Sequence, residues 1–279
     1  MKRHAAICAV LSTLLVAGPG AAQQPEFTLQ PASDFAPPGA VPLIIGGTQA
    51  DPAEWPATFV FSEDGGGDCT STAIGRRVLL TAAHCVGNGA HGVIDRGGWT
   101  TDVACEHHPA YHDNVADNDP DWERKVSPDF ALCRLSEDLT DVELEWLNVD
   151  PAVPEDGSVV HLLGFGCNEV GGSDGGFGVL FEGNAAVHRR PEGDSYYTWT
   201  LGGAAICYGD SGGAAYALSD PDGSSRRVVA VNSRGDIDTQ SLLSTTSVSG
   251  FLSWATTWSS THGLRICGLH ADATHCRPQ

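Results

Sequence analysis

Cys207-Tyr208-Gly209-Asp210-Ser211-Gly212-Gly213 decides how this chain is read, and Thr81-Ala82-Ala83-His84-Cys85, far upstream, completes it. A serine hydroxyl is a weak nucleophile at neutral pH and needs a base to take its proton as it attacks. Histidine, with an unperturbed pKa of about 6.5, accepts and returns a proton near pH 7. The base needs an acceptor behind it to fix its tautomer, and Asp129-Phe130-Ala131-Leu132 offers a carboxylate opening an apolar strand. Gly209, before the serine, lets a backbone N–H approach a substrate oxygen without Cβ interference. The serine motif alone is ambiguous. Joined to the other two in the order His, Asp, Ser, it points to nucleophilic catalysis.

The same pentad satisfies the Gly-x-Ser-x-Gly elbow of a different hydrolase fold, whose esterases place the triad in the order Ser, Asp, His. His262, His270 and His275 do lie downstream of Ser211. However, Ala214-Ala215-Tyr216-Ala217-Leu218 runs into a turn at Asp220-Pro221-Asp222-Gly223, not into a helix, and no alternating βαβ pattern precedes it. The elbow reading is therefore the weaker one.

Lys2-Arg3-His4, an apolar run from Ala5 to Ala17, and small residues to Ala22 have the form of an export signal cut after Ala22. The run is too short to span a bilayer, which needs about 20 residues. The expectation is an exported protein, extracellular or periplasmic, with no membrane anchor. Beyond Cys8 there remain Cys69, Cys85, Cys105, Cys133, Cys167, Cys207, Cys267 and Cys276. Eight cysteines fit an oxidising compartment but allow about 105 pairings. No CxxC pair argues for zinc or redox chemistry. The net charge of −20 lies on the mature chain: from Ile44 onward 33 acids face 13 bases, with Lys125 the one lysine. Such a field excludes nucleic acid and anionic membranes as partners and otherwise reads as a solvated acidic surface.

Residues 23–43, rich in Pro, Ala and Gln, have little from which to build a core and read as an extended or disordered pro-segment. From Ile44 onward, short apolar runs alternate with turn clusters: Ala57–Phe61, Arg77–Leu80, Asp129–Leu135, Val159–Leu163, Val179–Phe181 and Arg227–Val231. That pattern predicts an all-β barrel or sandwich. One helix is expected near the end, where Val248, Phe251, Leu252, Ala255 and Trp258 recur at helical spacing.

With Ile44-Ile45-Gly46-Gly47, Glu54-Trp55-Pro56, His108-Pro109-Ala110-Tyr111 and Gly164-Phe165-Gly166 added to the three motifs, the chain resembles the chymotrypsin-like (trypsin-fold) serine proteases from Ile44 to about Trp258. The resemblance implies two six-stranded antiparallel Greek-key barrels, roughly 44–150 and 151–247, a helix at 248–260, and a disulfide-closed tail at 261–279. It implies His84 as general base, Asp129 as its orienting carboxylate, Ser211 as nucleophile, and the N–H groups of Gly209 and Ser211 as oxyanion hole. No cofactor and no metal are implied; a polypeptide substrate is, a proteinaceous inhibitor is allowed for, and a monomer is expected. A non-catalytic binding protein on the same scaffold is the alternative, but such relatives lose the histidine or serine, and all three positions are intact here.

In the resembling family the amine freed by cleavage turns inward and pairs with the aspartate beside the serine, which makes Ile44 the new terminus and Asp210 its partner. Leu43 precedes that cut where animal zymogens carry Arg or Lys, so a trypsin-like activator is not expected. Ala205 stands at the pocket floor where trypsin-like members have aspartate; a substrate Lys or Arg would bury its cation unpaired there. The expected preference is for apolar or small residues, the choice between large and small staying open. Ser233-Arg234-Gly235 is expected to line the cleft, with Gly235 leaving its mouth open and Arg234 favouring acidic substrate residues nearby. Among disulfides, Cys69–Cys85 matches the family's bridge beside the histidine. The fold further implies Cys167–Cys207 beside the oxyanion segment, Cys105–Cys133 between neighbouring strands, and Cys267–Cys276 closing the tail.

Five carboxylates in residues 113–123 could hold calcium, but no EF-hand spacing is present and a solvated loop is the expectation. His107, His108 and His112 cluster, yet His108-Pro109 already matches a structural motif. The glycine-rich run 171–176 lacks the Lys-Ser/Thr ending of a phosphate cradle and reads as a surface loop near the cleft.

Overall fold

Strands with one face on a core bury every second residue, and that alternation recurs along this chain. The computed structural model describes residues 25–35, 44–63, 68–112, 128–167, 170–172, 178–218, 225–270 and 276. In chain order the first strands are β1 (Phe27–Pro31), β2 (Thr48–Gln49), β3 (Thr58–Glu63), β4 (Asp68–Gly75), β5 (Val78–Thr81), β6 (His91–Asp95), β7 (Thr100–His107) and β8 (Ala131–Leu135). Then come β9 (Val159–Gly164), β10 (Phe181–Arg189), β11 (Tyr197–Gly203), β12 (Ala214–Leu218), β13 (Arg226–Gly235), β14 (Gln240–Thr245) and the helix α1 (Ser249–His262).

The expected all-β, two-barrel architecture with one C-terminal helix is observed. The first barrel closes in the order β1-β3-β4-β5-β8-β7-β6. In the second sheet, β11-β14-β13-β12-β9-β10 forms a six-stranded ring closed by the β10–β11 pairing, with β2 added on β10.

Two details differ from expectation. The first barrel has seven strands, because β1 comes from residues 23–43, expected to form an extended or disordered pro-segment. Phe27 and Leu29 alternate inward and are 2% and 0% exposed, and Pro31 ends the strand, where its missing N–H is tolerated. Second, Thr48–Gln49 falls within the range expected for the first barrel but pairs with Phe181–Glu182 of the second. The proposed signal at 1–22 and the acidic loop 113–123 lie outside the described residues.

The two barrels share a seam filled by aromatic side chains, among them Trp55, Phe130, Phe165, Tyr216 and Phe251. α1 buries Phe251, Ala255, Trp258 and Ser259 against it, a stripe at helical spacing, and ends at Gly263 in the left-handed conformation (φ 65°). Phe251 meets Phe130 with ring centroids 4.4 Å apart. The helix thus packs behind the residue that follows Asp129. Among the described residues no helix is long and apolar enough to cross a membrane.

Candidate active site at the seam of the barrels

Strand pairing brings His84 and Asp129 together. β5 and β8 are antiparallel neighbours with Thr81 opposite Ala131. His84 follows the end of β5 in a short 3-10 turn (Ala83–Cys85), and Asp129 precedes the start of β8, so both project from the same end of the pair. His84 Nδ1 lies 2.6 Å from Asp129 Oδ2, and the His84 backbone N–H donates to Asp129 Oδ1 at 3.0 Å. Asp129 is fully buried, while the His84 side chain is 32% exposed. Burial pushes the Asp129 pKa up, but the His84 ring, the Ser233 hydroxyl and the His84 N–H together outweigh it and hold the carboxyl below its ordinary value.

Ser211 arrives from the second barrel in the turn before β12. Its carbonyl accepts from Thr70 N at 2.7 Å, Thr70 Oγ1 donates to Gly209 O at 2.9 Å, and Thr81 Oγ1 donates to Thr70 O at 2.9 Å. The serine turn is therefore tied to β4 and β5 of the first barrel, next to the His84 segment. Gly212 makes this approach possible: a Cβ there would collide with Thr70 O and Thr81 Oγ1 and press on Ala82 N.

Both expected oxyanion donors sit on peptide groups fixed through their carbonyls. In a planar trans peptide the N–H points opposite to the C=O. The Tyr208 carbonyl, on the peptide that carries the Gly209 N–H, accepts from Cys167 N at 2.8 Å. The Asp210 carbonyl, on the peptide that carries the Ser211 N–H, accepts from Gly213 N at 3.0 Å and Asn232 Nδ2 at 3.2 Å. Gly209 itself has φ 96°, a conformation suited to glycine.

Four disulfides are formed: Cys69–Cys85, Cys105–Cys133, Cys167–Cys207 and Cys267–Cys276. Cys167–Cys207 joins the two segments linked by the Cys167 N–Tyr208 O bond. Cys105 and Cys133 are directly opposite on β7 and β8.

Asp210 is buried, and its two oxygens accept from Gly166 N and Cys207 N, each at 2.8 Å. Burial dominates and pushes its pKa up to about 7 despite those bonds. Ile44 is 1% exposed and packs in the second-barrel core with Ala204 and Ile206. Ile45 and Ala205 exchange backbone hydrogen bonds of 3.2 and 3.0 Å, which sets the Ile44-Ile45 segment against the expected pocket floor. Next to Ala205, the Ile206 N–H is held by Ser241 Oγ at 3.1 Å.

The Ser233-Arg234-Gly235 stretch, expected to line the cleft, is also built into the surroundings of Asp129. The Ser233 hydroxyl donates to Asp129 Oδ2 at 2.6 Å. The Arg234 guanidinium turns to the same oxygen, 3.9 Å away, with Nε 3.4 Å from Ser233 Oγ, rather than outward toward an acidic substrate residue. A Cβ on Gly235 would strike the Gln240 carbonyl, so glycine there serves the close approach of β13 and β14. Tyr197 also faces this cluster: burial first, then the Asp129 charge, push its phenol pKa up. Thr70, Tyr197 and Asn232 had no sequence signal, because each acts on residues far away along the chain.

Of the clustered histidines, His107 and His108 are engaged locally. His107 Nε2 is 2.6 Å from Val86 O, and His108 is packed among Phe130, Tyr196 and Trp254, with burial lowering its pKa. Among the described residues Cys69, His84 and Cys85 come together, but the cysteines are joined in a disulfide. Of the glycine-rich run, Gly172 lies against the Tyr208 ring, beside the Gly209–Ser211 segment.

A trypsin family model matches residues 44–255. The chain is also 26% identical over 152 residues to trypsin alpha-4 of Lucilia cuprina, a match covering 49% of this chain and 56% of that protein. The matched part thus spans little more than half of that relative's length. The family model covers most of the chain, including the His84, Asp129 and Ser211 segments, and on that ground the chain belongs to the trypsin family.

Proposed function

We propose that this protein is an exported serine endopeptidase that cleaves polypeptides through an acyl-enzyme formed on Ser211. The observation that carries the reading is the buried Asp129 holding His84 Nδ1 at 2.6 Å, just past the end of β5, which Thr70 links to the Ser211 loop. With Nδ1 so engaged, His84 Nε2 is the nitrogen that takes the Ser211 proton as Oγ attacks the scissile carbonyl. The oxyanion formed is received by the N–H groups of Gly209 and Ser211, whose peptide planes are held in advance and need no reorganisation. His84 then returns the proton to the leaving amine, and water repeats the sequence on the ester.

In this reading, cleavage before Ile44 activates the enzyme. The raised pKa of Asp210 supports it: a buried carboxylate held by backbone N–H groups alone gains most from an arriving ammonium. Ile44 and Ile45, already seated in the second barrel beside Ala205, support the same placement. The uncharged floor at Ala205 favours apolar or small side chains before the scissile bond, and Leu43 meets that preference, so the enzyme processes itself.

Hydrolysis of a peptide library by protein beginning at Ile44 tests the assignment. Ser211→Ala and His84→Ala should each lower turnover by at least about 10³-fold, and cleavage should follow apolar or small residues. Full activity in Ser211→Ala, or efficient cleavage after Arg or Lys, would overturn the respective part.

A further inference from the structure

β1 lies N-terminal to the proposed cut, yet it is built into the first barrel on both sides. Five residues pair antiparallel with β3, from Phe27 opposite Glu63 to Pro31 opposite Phe59. Three pair in parallel with β6: Phe27 with Gly92, Thr28 with Val93 and Leu29 with Ile94. β3 and β6 are neighbours of β1 and not of each other in the closed order. Taking β1 away would leave two facing edges of unpaired backbone N–H and C=O groups, with no strand between them.

The slot is shaped for its occupant. Phe27 stacks on Phe61 with centroids 4.6 Å apart, and Leu29 is fully buried in the first-barrel core. Gly92 on β6 carries no side chain, and a Cβ there would collide with the Phe27 ring and carbonyl. At the strand's start, Glu26 N donates to His91 O at 2.8 Å; past its end, Ala32 is buried in the aromatic seam. The occupant therefore touches both the first-barrel core and the aromatic seam between the barrels.

We infer that the gap between β3 and β6 is a strand-binding site for this chain's own leader, and that residues 26–32 stay in it after the chain is cut. No cysteine lies between residues 23 and 43, so the leader is held without a covalent link. The two-chain composition of the active enzyme rests on the proposed cut before Ile44; retention of β1 does not.

The test separates the two. Full-length Ser211→Ala protein, which cannot process itself, carries an exogenous protease site within residues 36–43. It is cut, passed through gel filtration under native conditions, and analysed by denaturing mass spectrometry. Retention predicts leader peptide and body co-eluting one to one, parted only by denaturant. In the same format Phe27→Ala should speed leader release on the order of a hundredfold, the effect of emptying a buried phenylalanine site. A leader that separates at once from the cut protein would overturn the inference, whatever the state of the body. So would a Phe27→Ala leader released no faster than the unaltered one. N-terminal sequencing of active wild-type enzyme tests the Ile44 cut on its own.

Discussion

The Ser233 hydroxyl donates to Asp129 Oδ2 at 2.6 Å, and that same oxygen lies 2.6 Å from His84 Nδ1. A residue expected only to line the substrate cleft thus holds the carboxylate that holds the His84 ring. Hydrogen bonds to charged groups contribute about 1.5–3 kcal/mol, which is one to two decades in rate if the charge matters in the transition state. Ser233→Ala should lower kcat by roughly tenfold or more, with a smaller change in KM. Steady-state kinetics that gave an unchanged kcat would remove Ser233 from the machinery.

Thr70 has a comparable role at the other end of the site. Its hydroxyl donates to Gly209 O at 2.9 Å and accepts from Phe165 N at 3.1 Å, and its backbone N–H holds Ser211 O. Thr70→Val keeps the shape and removes the hydroxyl. It should reduce kcat by about tenfold through a looser oxyanion segment while leaving KM nearly unchanged. A rise in KM at constant kcat would place Thr70 in ground-state binding instead.

The candidate residues stand out in the sequence because each sits in a motif whose neighbours its turn or strand needs. His84, Asp129 and Ser211 each come with flanking residues that the turn or strand needs, such as Gly212 for the close approach to Thr81. Thr70, Ser233 and Tyr197 were illegible as partners for the opposite reason. Their bonds cross the chain from strand to distant loop, as Ser233 to Asp129 does, and leave no local spacing to read. β1 is not legible in the sequence because Phe27 and Leu29 are two apolar positions set among prolines and glutamines; five residues hold too little alternation to stand out. The apolar runs that became β8 and β9 and the stripe of α1 were long enough to show.

Asp210 gives the uncut protein a pH signature. Its pKa of about 7 in the fold lies above the 3.8 of an ordinary aspartate, so the folded state holds the proton more tightly than the unfolded one. The associated stability is present in full below pH about 4 and is lost as pH rises through about 7. Uncut Ser211→Ala protein should therefore show a urea midpoint that falls across this window from the Asp210 contribution, and Asp210→Asn should flatten that fall. After cleavage before Ile44, pairing with the new amine should flatten it as well. Equal slopes for cut and uncut protein would argue that the amine never reaches Asp210.

Arg226 ties Trp55 to the segment joining the barrels. Its guanidinium stands 3.9 Å from the Trp55 ring centroid, and its Nε and Nη2 reach Glu145 Oε1 at 2.9 and 2.6 Å. Glu145 is buried, which raises its pKa, and Arg226 offsets part of that cost. Arg226→Ala leaves a buried carboxylate without its partner and should destabilise the protein by about 3–5 kcal/mol. Adding Glu145→Gln should recover part of the loss, since it removes the orphaned charge. Urea unfolding of the single and double variants measures both effects; a single-variant loss under about 1 kcal/mol would reduce the pair to a surface contact.

The central claim, that Ser211 is the nucleophile activated by His84 and Asp129, is tested most directly by covalent labelling. Protein cut before Ile44 is treated with a serine-directed organophosphorus reagent and mapped by peptide mass spectrometry. The account predicts one adduct per molecule, on Ser211, with hydrolysis lost in proportion to labelling and no adduct in His84→Ala over the same time. An adduct on another residue, or full peptide hydrolysis by protein whose Ser211 is completely labelled, would contradict it.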